Sequence, residues 1–213
     1  MTADEQAEAI LDACPDTEWR LLFALARYGG GLRVPSETLG LKWSDIDWAN
    51  GQFVVSNPKT EHHQGHESRE VPLFPKLLPH LREAFEKAEE GAGFCITRYR
   101  DQKVNLRTRL QWIIKRAGLK PWPNLWQNLR STRETELADQ FPAHVASAWI
   151  GNSVAVAVEH HEGPWGNCSP GDYRKGSQIF VAKYARAIWG VSSRCPPLVV
   201  PQTSLLLRIR PLF

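Results

Sequence analysis

The sequence lacks the features that mark membrane-embedded, secreted and zinc-ribbon proteins. No stretch approaches the roughly 18 consecutive apolar residues that a membrane helix requires. The acidic N-terminus has no basic segment followed by an apolar run, so we expect no secretory signal. The four cysteines lie far apart without a Cys-x-x-Cys pair, which excludes a zinc ribbon and disfavours a disulfide scaffold. We therefore expect a cytoplasmic protein with no membrane partner.

The chain also has little net charge, and the small excess is unevenly distributed. Its formal charge of +3 combines a net of −2 over residues 1–161 with a net of +5 over residues 162–213. The first segment is near neutral, so net charge by itself does not indicate nucleic-acid binding. Any anion site has to be built from particular arginines and lysines.

What is present is enough apolar sequence for a folded domain, since 42% of the 213 residues are hydrophobic. Helical periodicity and capping residues predict an α+β fold that is mostly α-helical. The predicted helices cover residues 2–14, 19–28, 35–41, 77–90, 105–117, 127–139, 143–150 and 154–160. Two apolar segments, 52–55 and 69–73, flank a polar stretch and predict a small antiparallel β-hairpin with a long connection.

The composition of the chain changes after residue 161. Residues 162–213 hold six of the 15 prolines and show little helical period. Proline-rich segments rarely pack into a core. We therefore expect one domain over residues 1–161 and a poorly ordered C-terminal tail over residues 162–213.

Three basic residues are candidates for binding an anion. Arg33 follows three consecutive glycines, and Glu37 lies four residues further on, where it is expected to hold the guanidinium fork of Arg33. Arg130 is predicted in the first turn of a helix, where free backbone amides also favour anions. Lys59 lies in the hairpin connection, from which it can bring a charge or a proton into a site. Arg133 and Glu134, further along the same predicted helix as Arg130, are expected to form ordinary surface pairs.

Five histidines raise the alternative of a metal site. Three of them, His62, His63 and His66, lie in the hairpin connection, where their spacing does not place two rings on one face. The other two, His160 and His161, close the last predicted helix. Because no cysteine or carboxylate cluster completes the set, we expect neither a bound metal nor another cofactor.

In their order and spacing, five elements of the chain resemble the catalytic domain of tyrosine recombinases, the phage integrase family. These are Leu32-Arg33-x-x-x-Glu37, Lys59, Gln127-x-x-Arg130, Ile150-Gly151-Asn152-Ser153 and the position of His161. Trp43-x-Asp45-Ile46-Asp47 and Val71-Pro72-Leu73 match the family pattern as well. The resemblance covers residues 3–161 and implies the family's fold, without its separate N-terminal DNA-clamping domain. It also implies double-stranded DNA as a partner, other recombinase protomers on that DNA, and nucleoid association when bound.

The resemblance further implies roles in phosphoryl transfer. Arg33 and Arg130 would clamp the scissile phosphodiester, and Lys59 would protonate the departing 5′ oxygen. Gln127 and Asn152 would donate hydrogen bonds, at positions where the family usually has histidine and histidine or tryptophan, respectively. In the family, a tyrosine attacks phosphorus and forms a 3′-phosphotyrosyl link without a metal or cofactor.

The position of the nucleophile departs furthest from the family. His161 stands where the family has its tyrosine, and the shorter, differently directed ring is expected to impair strand cleavage. Tyr173 and Tyr184 are alternative nucleophiles, and a frameshift that erased the tyrosine and appended the tail is another explanation. The leading interpretation is a DNA recombination and integration protein with impaired cleavage. The alternatives are a non-catalytic DNA-binding or regulatory remnant, a topoisomerase of type IB and the metal-binding protein described above.

Overall fold

The computed structural model describes residues 2–56, 68–101 and 104–151. These residues form seven α-helices, a 3₁₀ turn and three short strands. The elements are α1 Ala3–Asp12, α2 Thr17–Tyr28, α3 Ser36–Gly40, the 3₁₀ turn Trp43–Asp45, β1 Ile46–Asp47, β2 Gln52–Ser56, β3 Ser68–Pro72, α4 Leu78–Glu86, α5 Leu106–Arg116, α6 Leu125–Gln140 and α7 Ala143–Ile150. The prediction of a mostly helical α+β fold is confirmed.

Helix α2 is the centre of the core, because nine of its twelve residues are buried. A helix that is buried nearly all round needs partners on several sides, and α1, α4 and α6 all pack against it. Both N-terminal helices begin directly after a capping residue, and α2 begins two residues before the predicted position 19. Thr2 and Glu5 form a reciprocal capping box, and the Asp16 carboxylate accepts a 2.8 Å hydrogen bond from the backbone of Trp19.

The three strands form one antiparallel sheet in the order β1-β2-β3. Phe53 pairs with Val71 in the β2–β3 ladder, and both are fully buried. The predicted hairpin is thus confirmed. The two-residue strand β1, which pairs with the start of β2, was not predicted because it is too short to show an alternating pattern. The connection over residues 57–67 lies outside the described residues.

The bounds of the described helices differ from the predicted ones by up to four residues at an end, except in α7. Helix α4 is shorter than predicted, and α6 begins at Leu125, two residues earlier than predicted. Leu125 and Leu129 are both buried, so the first turn of α6 is anchored by an apolar pair at helical spacing. Helix α7 has the predicted bounds and ends at Gly151, whose φ of 74° is the left-handed conformation that glycine adopts readily. The helix predicted over 154–160 lies outside the described residues.

No helix among the described residues is both long and apolar enough to cross a membrane.

Candidate functional site

The glycine-rich segment after α2, which leads to Arg33, lies in a tight space between β3 and α6. Gly30 has φ +72°, and a Cβ built on it would lie 2.7 Å from Cγ1 of Val71 in β3. Gly31 has the same φ, and its Cβ would lie 3.4 Å from Cγ of Arg130 in α6. Glycine is therefore required at position 30 by both conformation and space. The segment brings Arg33, β3 and Arg130 into one neighbourhood.

Glu37 is the buried anion of this neighbourhood, with 1% of its side chain exposed. It accepts two hydrogen bonds from the guanidinium of Arg69, at 2.9 Å on Oε1 and 2.6 Å on Oε2. From Arg33 it accepts a 2.8 Å hydrogen bond from the backbone nitrogen and a longer one, 3.4 Å, from Nη1. We call Arg69, Glu37 and Arg33 the loop triad. The expected ion pair between Glu37 and the Arg33 guanidinium is present, but as a single 3.4 Å contact, because Arg69 occupies the bidentate position on Glu37.

The charges of the loop triad explain the ionisation of Glu37. Burial alone would raise the pKa of Glu37. The hydrogen bonds and charge of Arg69, with smaller contributions from Arg33, more than offset this and lower the pKa below its ordinary value. Glu37 is therefore a carboxylate at neutral pH.

Arg130 is buried beside the glycine segment and bridges two backbone carbonyls. Its guanidinium donates to the carbonyl of Gly31 and, at 2.9 Å, to the carbonyl of Ile150. Burial, followed by the positive charge of Arg33, lowers the pKa of Arg130 to about 10, so it remains protonated at neutral pH. The placement of Arg130 in the first turn of α6 was wrong, because α6 begins at Leu125. The free amides of that helix end therefore do not explain its position.

The C-terminal end of α7 presents two consecutive carbonyls to two arginines. The carbonyl of Trp149 accepts a 2.8 Å hydrogen bond from Nε of Arg69, and the next carbonyl, that of Ile150, accepts from Arg130. The last carbonyls of a helix have no partner within the helix and carry partial negative charge, so cations stabilise them. A Cβ at Gly151 would lie 3.1 Å from Arg69, so the helix ends in close contact with this side chain.

Arg69 is the site residue that sequence reasoning missed. It was assigned only to a strand, and a lone arginine there has no motif spacing. The signal that could have found it is the alternation of β3. Arg69 lies two residues before the fully buried Val71 and therefore shares the inward face of the strand, where a charged side chain needs a partner.

Of the other predicted site residues, Gln127 alone lies in the part of the chain that the structure describes. Gln127 lies on α6, three residues before Arg130, and is exposed. Lys59, Asn152 and His161 lie outside the described residues, as do the alternative nucleophiles Tyr173 and Tyr184 and the five histidines of the metal alternative, His62, His63, His66, His160 and His161. Among the residues that the structure describes, no group of three histidine, cysteine or acidic side chains is arranged to hold a metal ion.

Arg133 differs from its predicted surface role. Its side chain is only 11% exposed, donates to Glu136 at 3.2 Å and lies over the ring of Phe74 at 4.3 Å. Helix α6 turns this face toward α2, which explains the burial. Arg133 is therefore an internal residue of the domain.

The exposure of Arg33 determines what the neighbourhood can bind. Arg33, Arg69 and Arg130 carry three positive charges, and Glu37 supplies one negative charge among them. Arg69 and Arg130 are buried, whereas 39% of the Arg33 side chain is exposed. An anion approaching from solvent would meet the Arg33 guanidinium, with the positive charge of Arg130 behind it.

A family model for the phage integrase family matches residues 1–148, which is more than half of the chain. The chain belongs to the phage integrase, or tyrosine recombinase, family. No curated protein matches it in sequence.

Solved structures show the same fold in other integrases. XerA recombinase is 17% identical with a TM-score of 0.59, and the match covers 84% of this chain and 62% of that one. The integrase of transposon Tn1549, in complex with circular intermediate DNA, is 15% identical with a TM-score of 0.56, covering 85% of this chain and 65% of that one. A complex of the same integrase with transposon right end DNA has a TM-score of 0.57 at 15% identity, with the same coverage. This phage integrase family member thus spans less than two thirds of these structures.

Proposed function

We propose that residues 1–161 form a tyrosine-recombinase catalytic domain that binds a phosphodiester of double-stranded DNA between Arg33 and Arg130. The observation that carries this proposal is the partly exposed guanidinium of Arg33, which makes one side-chain hydrogen bond to the described residues, at 3.4 Å, and lies close enough to the buried Arg130 for its charge to lower the pKa of Arg130. Two guanidinium groups are suited to a phosphodiester, because each can donate to its anionic oxygens. Family membership and the DNA complexes of the Tn1549 integrase support duplex DNA as the ligand.

The proposal extends to the reaction class of the family, DNA strand breakage and rejoining in recombination or integration. In this proposal Lys59 is the general acid, and Gln127 and Asn152 donate hydrogen bonds to the phosphate. His161 at the nucleophile position impairs cleavage, because a displaced nucleophile loses most of its rate. Support for these roles comes from the family resemblance of the sequence. Residues 162–213 are proposed to be a tail outside the domain, and other protomers to assemble on the same DNA.

Binding of a fluorescent duplex of mixed sequence tests the phosphate clamp. We expect Arg33→Ala to weaken binding about tenfold and to lower the salt dependence by about one counterion, as loss of one phosphate contact does. Arg130→Ala should also weaken binding once the folded fraction is measured, and Arg130→Lys serves if the alanine variant unfolds. Arg82→Ala, which removes an exposed arginine of α4, is the charge-matched control. Unchanged affinity in both clamp variants would refute the proposal.

A non-catalytic DNA-binding or regulatory remnant is the second candidate, favoured by the histidine at position 161. The two candidates differ in whether a covalent intermediate forms. If the protein is a non-catalytic remnant, we expect no protein–DNA adduct on denaturing gels after incubation with duplexes nicked at many positions. An adduct that is lost on changing His161, Tyr173 or Tyr184 would establish cleavage and identify the nucleophile.

A further inference from the structure

Arg69 connects three elements of the domain through one buried side chain. From the start of β3 it donates two hydrogen bonds to Glu37 of α3, and its Nε donates at 2.8 Å to the carbonyl of Trp149 at the end of α7. Only 9% of the side chain is exposed, and the backbone at Gly151 covers it closely. All three guanidinium nitrogens of Arg69 already donate, and Glu37 neutralises its charge, so Arg69 is not available to bind an anion itself. Any functional role of Arg69 has to act through its neighbours.

Glu37 controls whether Arg33 is available to an anion. A carboxylate with 1% exposure has to be neutralised, because an unpaired buried charge is costly. Arg69 supplies the short bidentate pair, at 2.9 and 2.6 Å, and Arg33 adds only a 3.4 Å side-chain contact. Bidentate pairs at short distance are the strong form of this interaction. The guanidinium of Arg33 is consequently left only weakly engaged.

If Arg69 were removed, Glu37 would need another cation. The Arg33 guanidinium is already in contact with Oε1, and its backbone nitrogen is fixed on Oε2 at 2.8 Å. A small rotation of the side chain would give Glu37 a bidentate partner and withdraw Arg33 from solvent. Arg33 and Glu37 would then form a closed pair with little affinity for a second anion.

We propose that Arg69 is a positioning residue that neutralises Glu37 and thereby keeps the Arg33 guanidinium available to a phosphodiester. The identity of the anion rests on the proposed function, whereas the state of Arg33 in the free protein does not. Because Arg69 and Arg130 hold consecutive carbonyls of α7, Arg69 also fixes the helix end beside Arg130.

A suppressor experiment separates this role from a merely structural one. Arg69→Ala should weaken duplex binding about tenfold, as Arg33→Ala does, because Arg33 is captured by Glu37. In the double variant R69A/E37Q the competing charge is gone, and affinity should return to within about threefold of the wild type. Because the double variant also removes the unpaired buried charge of Glu37 and so restores stability, the affinities are compared at equal concentrations of folded protein. A role in stability alone then predicts no loss of affinity in folded Arg69→Ala. A double variant as weak as the single one would therefore overturn the proposal.

A second readout needs no DNA. The Nε–H signal of Arg33 in a proton–nitrogen NMR spectrum, assigned by its loss in Arg33→Ala, should shift and sharpen in Arg69→Ala and revert in R69A/E37Q. An unshifted signal would overturn the proposal even if DNA affinity fell. A shifted signal in a protein whose duplex binding does not depend on Arg33 would support the role of Arg69 and refute the proposed function. If Arg69→Ala does not fold, Arg69→Met keeps the apolar stem and is compared in the same way with R69M/E37Q.

Discussion

The domain contains two clusters in which one glutamate is shared by two arginines, and they differ in which side chain reaches solvent. In the core triad, Glu136 pairs with Arg27 at 2.8 and 2.5 Å and with Arg133 at 3.2 Å. The loop triad has the same chemistry, with a bidentate pair from Arg69 and a longer contact from Arg33.

The exposures of the two triads are reversed. In the core triad both arginines are buried, at 2% and 11% exposure, and the glutamate is 29% exposed. In the loop triad the glutamate is 1% exposed and the second arginine is 39% exposed. The core triad therefore directs its cations inward, where they join α2 to α6, and the loop triad presents a cation outward. We therefore expect the same ion-pair motif to act as an internal brace in the core triad and, under the proposed function, as an anion site in the loop triad.

The largest expected effect comes from breaking the core triad. Arg27→Ala should lower the free energy of unfolding by about 3 kcal/mol, because it removes a buried bidentate partner and leaves a void beside α6. Arg20→Ala is the matched control on the same helix: Arg20 also forms a bidentate pair, with Glu83, but both side chains are about 30% exposed. The control should cost no more than about 1 kcal/mol in urea unfolding. Equal losses of unfolding free energy in Arg27→Ala and Arg20→Ala would contradict the inference that burial makes the core triad the stronger pair.

The next largest effect concerns the backbone that holds the loop triad. Gly30→Ala should cost about 2–3 kcal/mol, because alanine is strained at φ +72° and its Cβ would meet Val71 at 2.7 Å. Gly118→Ala is the control, since Gly118 has φ +74° and nothing within 4 Å of the built Cβ. It should cost only the left-handed strain, about 1–2 kcal/mol. A Gly30 variant no less stable than its Gly118 counterpart would show that the segment is not confined by β3.

The comparison also shows which parts of the fold and site could be predicted from sequence. Capping residues and apolar periodicity are local signals, and they predict α1, α2, α5 and α7 closely. The bidentate pairs Arg69–Glu37 and Arg27–Glu136 span 32 and 109 residues of sequence. No local pattern reports which distant guanidinium a carboxylate will meet, so Glu37 was paired with Arg33, its neighbour in sequence. Arg33 and Arg130 were identified from their places in the sequence, after a run of glycines and near a predicted helix start, and the family resemblance supplied their roles, whereas their contacts were not predicted.

A smaller effect is expected in the decrease of the free energy of unfolding at acid pH. The pKa of Glu37 and that of Glu136 are both lowered: burial opposes ionisation in each, but the pairing arginines more than compensate. The ionised form of each glutamate therefore stabilises the fold at pH values above the unfolded-state pKa of about 4.3. This stabilisation is lost as the pH falls through the lower pKa of the same group in the folded protein. Glu37→Gln and Glu136→Gln should each make the free energy of unfolding less dependent on pH in the acid range. Added salt should weaken the contribution of Glu136 more, because it is more exposed. Equal salt sensitivity would contradict the difference in burial.

The smallest expected effect is the loss of stability in Arg33→Ala. Glu37 keeps the bidentate pair of Arg69 and the backbone hydrogen bond of residue 33, so only the 3.4 Å contact of a 39% exposed side chain is lost. Removing this cation also relieves the repulsion that lowers the pKa of Arg130. The free energy of unfolding should change by no more than about 0.5 kcal/mol.

Arg133→Ala, at the equivalent place in the core triad, should cost about 1–2 kcal/mol, because that side chain is buried over Phe74. If Arg33→Ala proved as costly as Arg133→Ala, Arg33 would be a brace rather than an anion ligand.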